Sequence, residues 1–257
     1  MGSAKSQLGD NEGALIAYNH ALTIDQHNVA ALVNGGTALR DLGQLDRALS
    51  RLLRAAQIAP KVPEVFYNLG DIHFAFDRFD KADEAAKIAI NLSPSMSAAH
   101  VLRVLALEGS LNYQDALRAA EYGISQTPLH FGLNYERARM LRLVGNLQRA
   151  EEAFQKCTTP SFYRNAEHVR PSTIAYAHNE YAALLSQIGR EKEARKHWRR
   201  SVQVDPSFAQ GWVNAASIED GFEESLGMYM RAVALSPGLV EAWINIGQVC
   251  ARPDTAD

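Results

Sequence analysis

Proline recurs at Pro60, Pro94 and Pro128, 34 residues apart, and each closes a segment with helical spacing of its apolar residues. A unit of that length cannot hide its apolar face alone, so a fixed period of this size demands that units stack into a solenoid. Five residues before each proline stand the small residues Ala55, Ala89 and Gly123, and twelve before stand Ala48, Ala82 and Ala116. Small side chains at one phase let two antiparallel helices approach closely, while larger ones between them, such as Leu52, fill the remaining space. The repeating unit is therefore a helical hairpin, and the fold class is all-α.

The third unit reads Phe66, Leu69-Gly70, His73, Ala82, Ala86, Ala89 and Pro94, and the second places Leu32, Gly36, Leu39, Gly43, Ala48, Leu52, Ala55 and Pro60 in the same phase. This pattern resembles the tetratricopeptide repeat (TPR), in which a bulky residue, a Leu-Gly pair and an aromatic mark helix A and alanines mark helix B. The departures are His73 and Ala86, where large aromatics are usual. The resemblance implies a right-handed superhelical solenoid of antiparallel hairpins.

Ala116, Gly123 and Pro128 keep the phase in a fourth unit whose helix A is degenerate at His100 and Val104, and Ala138, Gly145, Ala150 and Phe154 continue it. The period then resumes with Ala182, Gly189, Ala194, Trp198 and Pro206, which lies 78 residues after Pro128 instead of 68. The ten extra residues are placed as a loop insertion at about 158–173, where Pro160 and Pro171 stand among Ser, Thr and Asn. A seventh unit runs from Trp212 through Ala216, Tyr229 and Ala232 to Pro237, with a short turn near Gly221. Ala14, Tyr18 and Ala21 match helix B of a first unit, and Trp243, Gly247 and Cys250 match helix A of an eighth. The expectation is one array over 1–257, with six complete hairpins between two partial ones. Uncapped ends would expose residues such as Trp243 and Ile246 and offer a route to self-association.

In this family helix A of each hairpin lines the concave surface, and the resemblance places one groove position at Asn34, Asn68, Leu102, Glu136, Glu180, Asn214 and Asn245. A side-chain amide donates and accepts at once, so a row of asparagines can pair with the backbone of an extended peptide. This resembles the asparagine ladder in the repeats of O-linked N-acetylglucosamine transferase. Neighbouring groove positions add Thr37, Tyr67, Asp71 and Phe74 in one half and Tyr135, Arg139, Arg142, Tyr176 and Asn179 in the other. Aromatics and arginines are the usual hot-spot types at interfaces. Tyr67 and Phe74 lie seven residues apart and so share a helix face. Chaperone-binding members grip a C-terminal carboxylate with lysine and arginine, but the position of the first lysine reads Val33, Tyr67, Val101, Tyr135, Asn179 and Val213. A heat-shock chaperone tail is thus disfavoured, and an extended internal segment of a partner protein is the expected ligand.

Charge sharpens this only locally. With 26 basic against 29 acidic side chains the chain has no general attraction to nucleic acid. From Tyr135 to Arg200, 13 Lys or Arg face 7 Glu, whereas from Ser201 onward 2 face 8 Asp or Glu. The basic run Arg195, Lys196, His197, Arg199, Arg200 and the acidic cluster Glu219, Asp220, Glu223, Glu224 are candidates to mate between copies.

The longest apolar runs, Ala14 to Tyr18 and Val29 to Val33, are far below the roughly 20 residues a membrane helix needs. Two distant cysteines, Cys157 and Cys250, support neither a disulfide framework nor a zinc site, so a cytoplasmic or nuclear setting is expected. No phosphate loop, dinucleotide fingerprint, His-Glu-x-x-His or Gly-x-Ser-x-Gly occurs, and no catalytic residue, cofactor or metal is expected. The expected function is a protein-interaction scaffold. The alternatives are the substrate-recruiting portion of a larger glycosyltransferase or sulfotransferase, and an adaptor or corepressor that works through its convex surface and the 158–173 insertion.

Overall fold

The computed structural model describes residues 10–219 and 221–251. It contains fifteen helices, and no strand is formed among the described residues. The chain makes two compact units, residues 1–128 and 129–257. The first contains α1 (Asn11–Ile24), α2 (Val29–Asp41), α3 (Leu45–Ile58), α4 (Pro63–Ala75), α5 (Phe79–Leu92), α6 (Ser97–Gly109) and α7 (Tyr113–Gln126). The second contains α8 (Phe131–Leu143), α9 (Leu147–Thr158), the single turn α10 (Pro160–Tyr163), α11 (Pro171–Gln187), α12 (Glu191–Val204), α13 (Ala209–Ala216), α14 (Phe222–Leu235) and α15 (Val240–Cys250). The helix A stub of the first repeat lies outside the described residues.

The hairpins are cut by chemistry that repeats. Asp10 and Asn28 cap α1 and α2 by accepting from the Gly13 and Ala31 N–H groups at 2.8 and 2.9 Å. Each helix A before α13 that pairs with a helix B ends with one residue in the left-handed region, at Gly43, Asp77, Leu111, Gly145 and Gly189. The next residue returns its N–H to a carbonyl five positions back, as Gln44 does to Leu39 and Arg190 to Leu185, both at 2.8 Å. These paired bonds satisfy carbonyls that the ended helix leaves open, and they reverse the chain within two residues.

Close contact follows from the small residues. Ala48, Ala82, Ala116, Ala150 and Ala194 are wholly buried where helix B meets helix A. A Cβ added at Gly70 would come within 2.8 Å of the Leu102 side chain and 3.2 Å of the Ala82 carbonyl, so glycine sets the helix separation there. Leu32, Leu39, Leu52, Val65, Leu69 and Ile72 fill the space between the hairpins of the first unit. At about 25 cal/mol per Å² of apolar area, such burial is the main favourable term.

The bulky residue that opens helix A has a second job in three repeats. The ring N–H of His100, Trp212 or Trp243 donates to the carbonyl of Pro94, Pro206 or Pro237 at 2.8, 3.0 and 3.0 Å, tying helix A to the end of the preceding helix B. Trp243 remains 51 % exposed, while Ile246 packs beside Val213, Tyr229 and Val249.

The extra ten residues of the longer period are divided. Part forms α10 and the turns after it, and part lengthens α11 to 17 residues, where α8 has 13. The stretch is not a bare polar loop, because Phe162, Tyr163, Ala166 and Val169 pack against Phe131, Cys157 and Ala177.

Candidate functional site

In the first unit the A helices α2 and α4 lie side by side, and the row between them is cross-bonded. The Thr37 hydroxyl donates to Asn68 Oδ1 at 3.1 Å, Asn68 Nδ2 donates to the Glu64 carbonyl at 2.6 Å, and the Arg40 guanidinium pairs with Asp71. Asn34, on the same row, is exposed. Tyr67 instead packs with Phe66 and Met96 against Ala89, Ile90 and Ala99, and Phe74 meets Phe79 edge-on with ring centroids 5.5 Å apart. The two aromatics expected to share a groove face are therefore largely spent on neighbouring helices.

In the second unit α8, α11, α13 and α15 carry the corresponding row. Arg139 donates to Glu136 at 2.5 Å and its guanidinium carbon lies 5.8 Å from the Tyr135 ring centre. Arg142 bridges to Glu180 on α11 at 2.6 Å, Asn214 Nδ2 donates to Asn179 Oδ1 at 2.7 Å, and Gln210 Nε2 reaches both Asn214 Oδ1 at 3.2 Å and Glu241 on α15 at 2.9 Å. Asn245 is half-buried on α15. Burial first, then the charges of Glu180 and Glu136, holds the Tyr135 phenol far above its ordinary range.

The structure thus joins Thr37, Asn68 and Asp71 into one polar row, and Arg142, Glu180, Asn179 and Asn214 into another, with Arg40, Gln210 and Glu241 as partners that the groove positions did not include. The missed signal is spacing. Thr37 and Asn68, Arg40 and Asp71, and Gln210 and Glu241 are each 31 residues apart, one repeat less about one helical turn. Complementary polar residues at that separation mark lateral contacts between successive A helices.

The opposite charges on α12 and around the start of α14 meet within the chain. Arg199 forks to both oxygens of Glu219 at 2.8 and 2.6 Å and reaches Glu224 at 3.0 Å. Glu219 and Glu224 are thereby engaged intramolecularly; Asp220 lies outside the described residues. Among the described residues no cluster of three or more His, Cys, Asp or Glu could hold a metal ion, and no helix is long and apolar enough to cross a membrane. Burial pushes the Cys157 thiol up to about 12, so it stays protonated and unreactive while covered.

Comparison with known proteins gives matches to family models described as TPR repeat over residues 36–75 and as tetratricopeptide repeat over residues 101–159 and over 1–28 with 63–96. A human protein O-mannosyl-transferase, TMTC3, is 23% identical over 95% of this chain and 25% of its own length. The Caenorhabditis elegans tetratricopeptide repeat-containing protein trd-1 is 33% identical over 42% of this chain and 13% of its own. The Bos taurus BBSome complex member BBS4 is 24% identical over 88% and 49%. The chain therefore spans less than half the length of these curated relatives. Among solved structures, a tetratricopeptide repeat protein from Parabacteroides merdae superposes with a TM-score of 0.72 at 16% identity, covering 97% of this chain and 96% of that one. The APC/C hetero-tetramer Cut9-Hcn1 gives 0.74 at 10%, covering 96% and 48%.

Proposed function

Because the chain belongs to the tetratricopeptide repeat family, a fold built for protein interaction, we propose that its A-helix rows hold an extended internal segment of a partner protein. The observation that carries this reading is that the rows bear polar side chains which hairpin packing does not require. Asn34 stands open, and Asn68, Asp71, Arg142 and Asn214 are only half-buried. The neutral amides among them, Asn34, Asn68 and Asn214, can bond a peptide backbone without dictating its sequence. The chain itself is read as non-catalytic, and its free thiols at Cys157 and Cys250 suit a reducing cytoplasmic or nuclear compartment. A chaperone C-terminal tail remains disfavoured, since the clamp position carries no Lys or Arg.

Peptides selected on the intact chain from a random displayed library provide the test. Asn34→Ala and Asp71→Ala should weaken them about ten-fold, or about 1.4 kcal/mol, while the circular-dichroism melt barely moves. Undiminished affinity for both variants would sink the reading. Tyr67 and Phe74 are poor probes because their rings pack against neighbouring helices.

A second reading draws on the match to an O-mannosyl-transferase across 95% of this chain, in which these repeats would present substrates to a catalytic domain outside it. Sequencing the gene past the codon of Asp257 tests it: a catalytic domain in frame supports it, and an immediate stop removes a C-terminal one. An adaptor role in a multiprotein assembly is the third, supported by the likeness to a BBSome member.

A further inference from the structure

Residues 159–170 lie as a strap along the start of α8. The Glu167 N–H donates to the Leu129 carbonyl at 2.9 Å, and the Glu167 carbonyl accepts from the Phe131 N–H at 3.2 Å, forming a parallel bridge through a single residue. Phe162 stacks on Phe131 with ring centroids 6.1 Å apart, and the Lys156 ammonium sits 4.6 Å from the centre of the Phe162 ring. Together with Tyr163, Ala166 and Val169, Phe162 covers Phe131, Cys157 and Ala177, all three sealed from solvent.

The cover differs from what it covers. Every strap residue is at least partly exposed, and Ser161, Arg164, Asn165, Glu167 and His168 face solvent. His168 holds a φ of 55°, a conformation that residues with a side chain seldom adopt. A segment fastened by half-exposed side chains and one backbone bridge opens at lower cost than the helices beneath it. Its mode of attachment is also that of a bound peptide: the backbone at Glu167 pairs with an open main-chain edge, while an aromatic ring carried on the turn α10 fills an apolar site.

We propose that the surface formed by residues 129–131, Cys157 and Ala177 is a binding site for a short, aromatic-bearing segment of a partner protein, and that residues 159–170 are its intramolecular occupant. Tyr135 belongs to the same cluster, so displacing the strap uncovers a residue of the α8 row. The proposal rests on the scaffold reading for the existence of a partner, whereas the opening of the strap can be measured without one.

The chain has two cysteines, so Cys250→Ser leaves Cys157 as the single reporter under the strap. Its labelling by a thiol reagent in the intact chain should run well ahead of global unfolding, and Phe162→Ala should raise the rate about ten-fold with helix content retained. A synthetic peptide of residues 159–170 should then slow labelling of the Phe162→Ala variant, and the same peptide carrying that substitution should not. If Phe162→Ala loosens the whole unit, Glu167→Pro gives the same reading from the other end of the strap, by removing the N–H that Leu129 receives and fixing the local backbone angle. Labelling no faster than global unfolding overturns the strap, and a peptide without effect overturns the site. Neither result touches the library selection at Asn34 and Asp71, so the two ideas fail separately.

Discussion

At the end of α6 stands Leu111, 70 % exposed and held at φ 60° where the matching positions Gly43, Gly145 and Gly189 are glycine. A side chain in the left-handed region costs on the order of 1–2 kcal/mol, and Leu111 recovers little of that through burial. Leu111→Gly, after the extra chain entropy glycine brings to the unfolded state, should still stabilise by about 0.5–1 kcal/mol. Gly145→Ala should do the reverse by about 1 kcal/mol. Chemical denaturation of the two variants checks both signs. The three glycines were legible as phase markers, but Asp77 and Leu111 were not, because the backbone angle belongs to the motif geometry and their side chains give no hint of it.

A second residue-scale case is the pair His178 and His197, whose Nδ1 atoms are 2.8 Å apart between α11 and α12. Burial, then His197 and Arg200, lowers His178 to about 3, and burial also lowers His197 despite Glu193. Both groups therefore bind protons more readily unfolded than folded. Their contribution is whole above the unfolded value near 6.5 and is lost as pH falls from there toward the folded value. His178, neutral through that window, removes up to about 1.4 kcal/mol per pH unit, and His197 acts in the same direction. Between about pH 7 and about pH 5 the native chain should lose more melting temperature than a His178→Leu, His197→Leu variant. Parallel losses in the two proteins would refute the assignment. The sequence could not show this pair, because the second imidazole lies 19 residues away on the facing helix.

At the scale of the helix, two glycines in matching positions make opposite predictions. Gly70 lies against Leu102, the Ala82 carbonyl and Ala85, so Gly70→Ala forces α4 from its neighbours and should cost about 1–3 kcal/mol. Gly247 in α15 meets nothing within 4 Å, so Gly247→Ala should instead stabilise by about 0.5–1 kcal/mol through helix propensity. A shared sign in thermal melts would show that contact does not decide these positions. The phase was readable at both; the neighbour was not, since it depends on which helix follows. Lateral pairs were hidden for a similar reason. Arg40 and Asp71 are about a third and a quarter exposed, and a double-mutant cycle should return only about 0.2–1 kcal/mol. Such pairs set helix register more than stability.

For the molecule as a whole, the hairpin count, their order and the position of the insertion follow from prolines and alanines whose spacing is dictated by close packing. What the period could not supply is how the inserted residues fold, because Phe162 and Val169 have no counterpart in any other repeat. The same one-dimensional logic that made the fold readable predicts how it responds to damage. A solenoid repeat touches only its neighbours, so a local fault should spread no further than the adjoining hairpins. Gly70→Ala places a fault between α4, α5 and α6, whereas Leu184 and Leu185 are buried in α11 within the other compact unit. Native-state hydrogen exchange should speed at the amides of α4 to α6 by about ten-fold or more, while those of Leu184 and Leu185 keep their rates. Faster exchange at both places would mean that the array unfolds as a single cooperative body and that nearest-neighbour reasoning fails for it. Unchanged exchange at the second site would let stability be argued hairpin by hairpin, which is the condition for a strap in one unit to open while the helices around it stay folded.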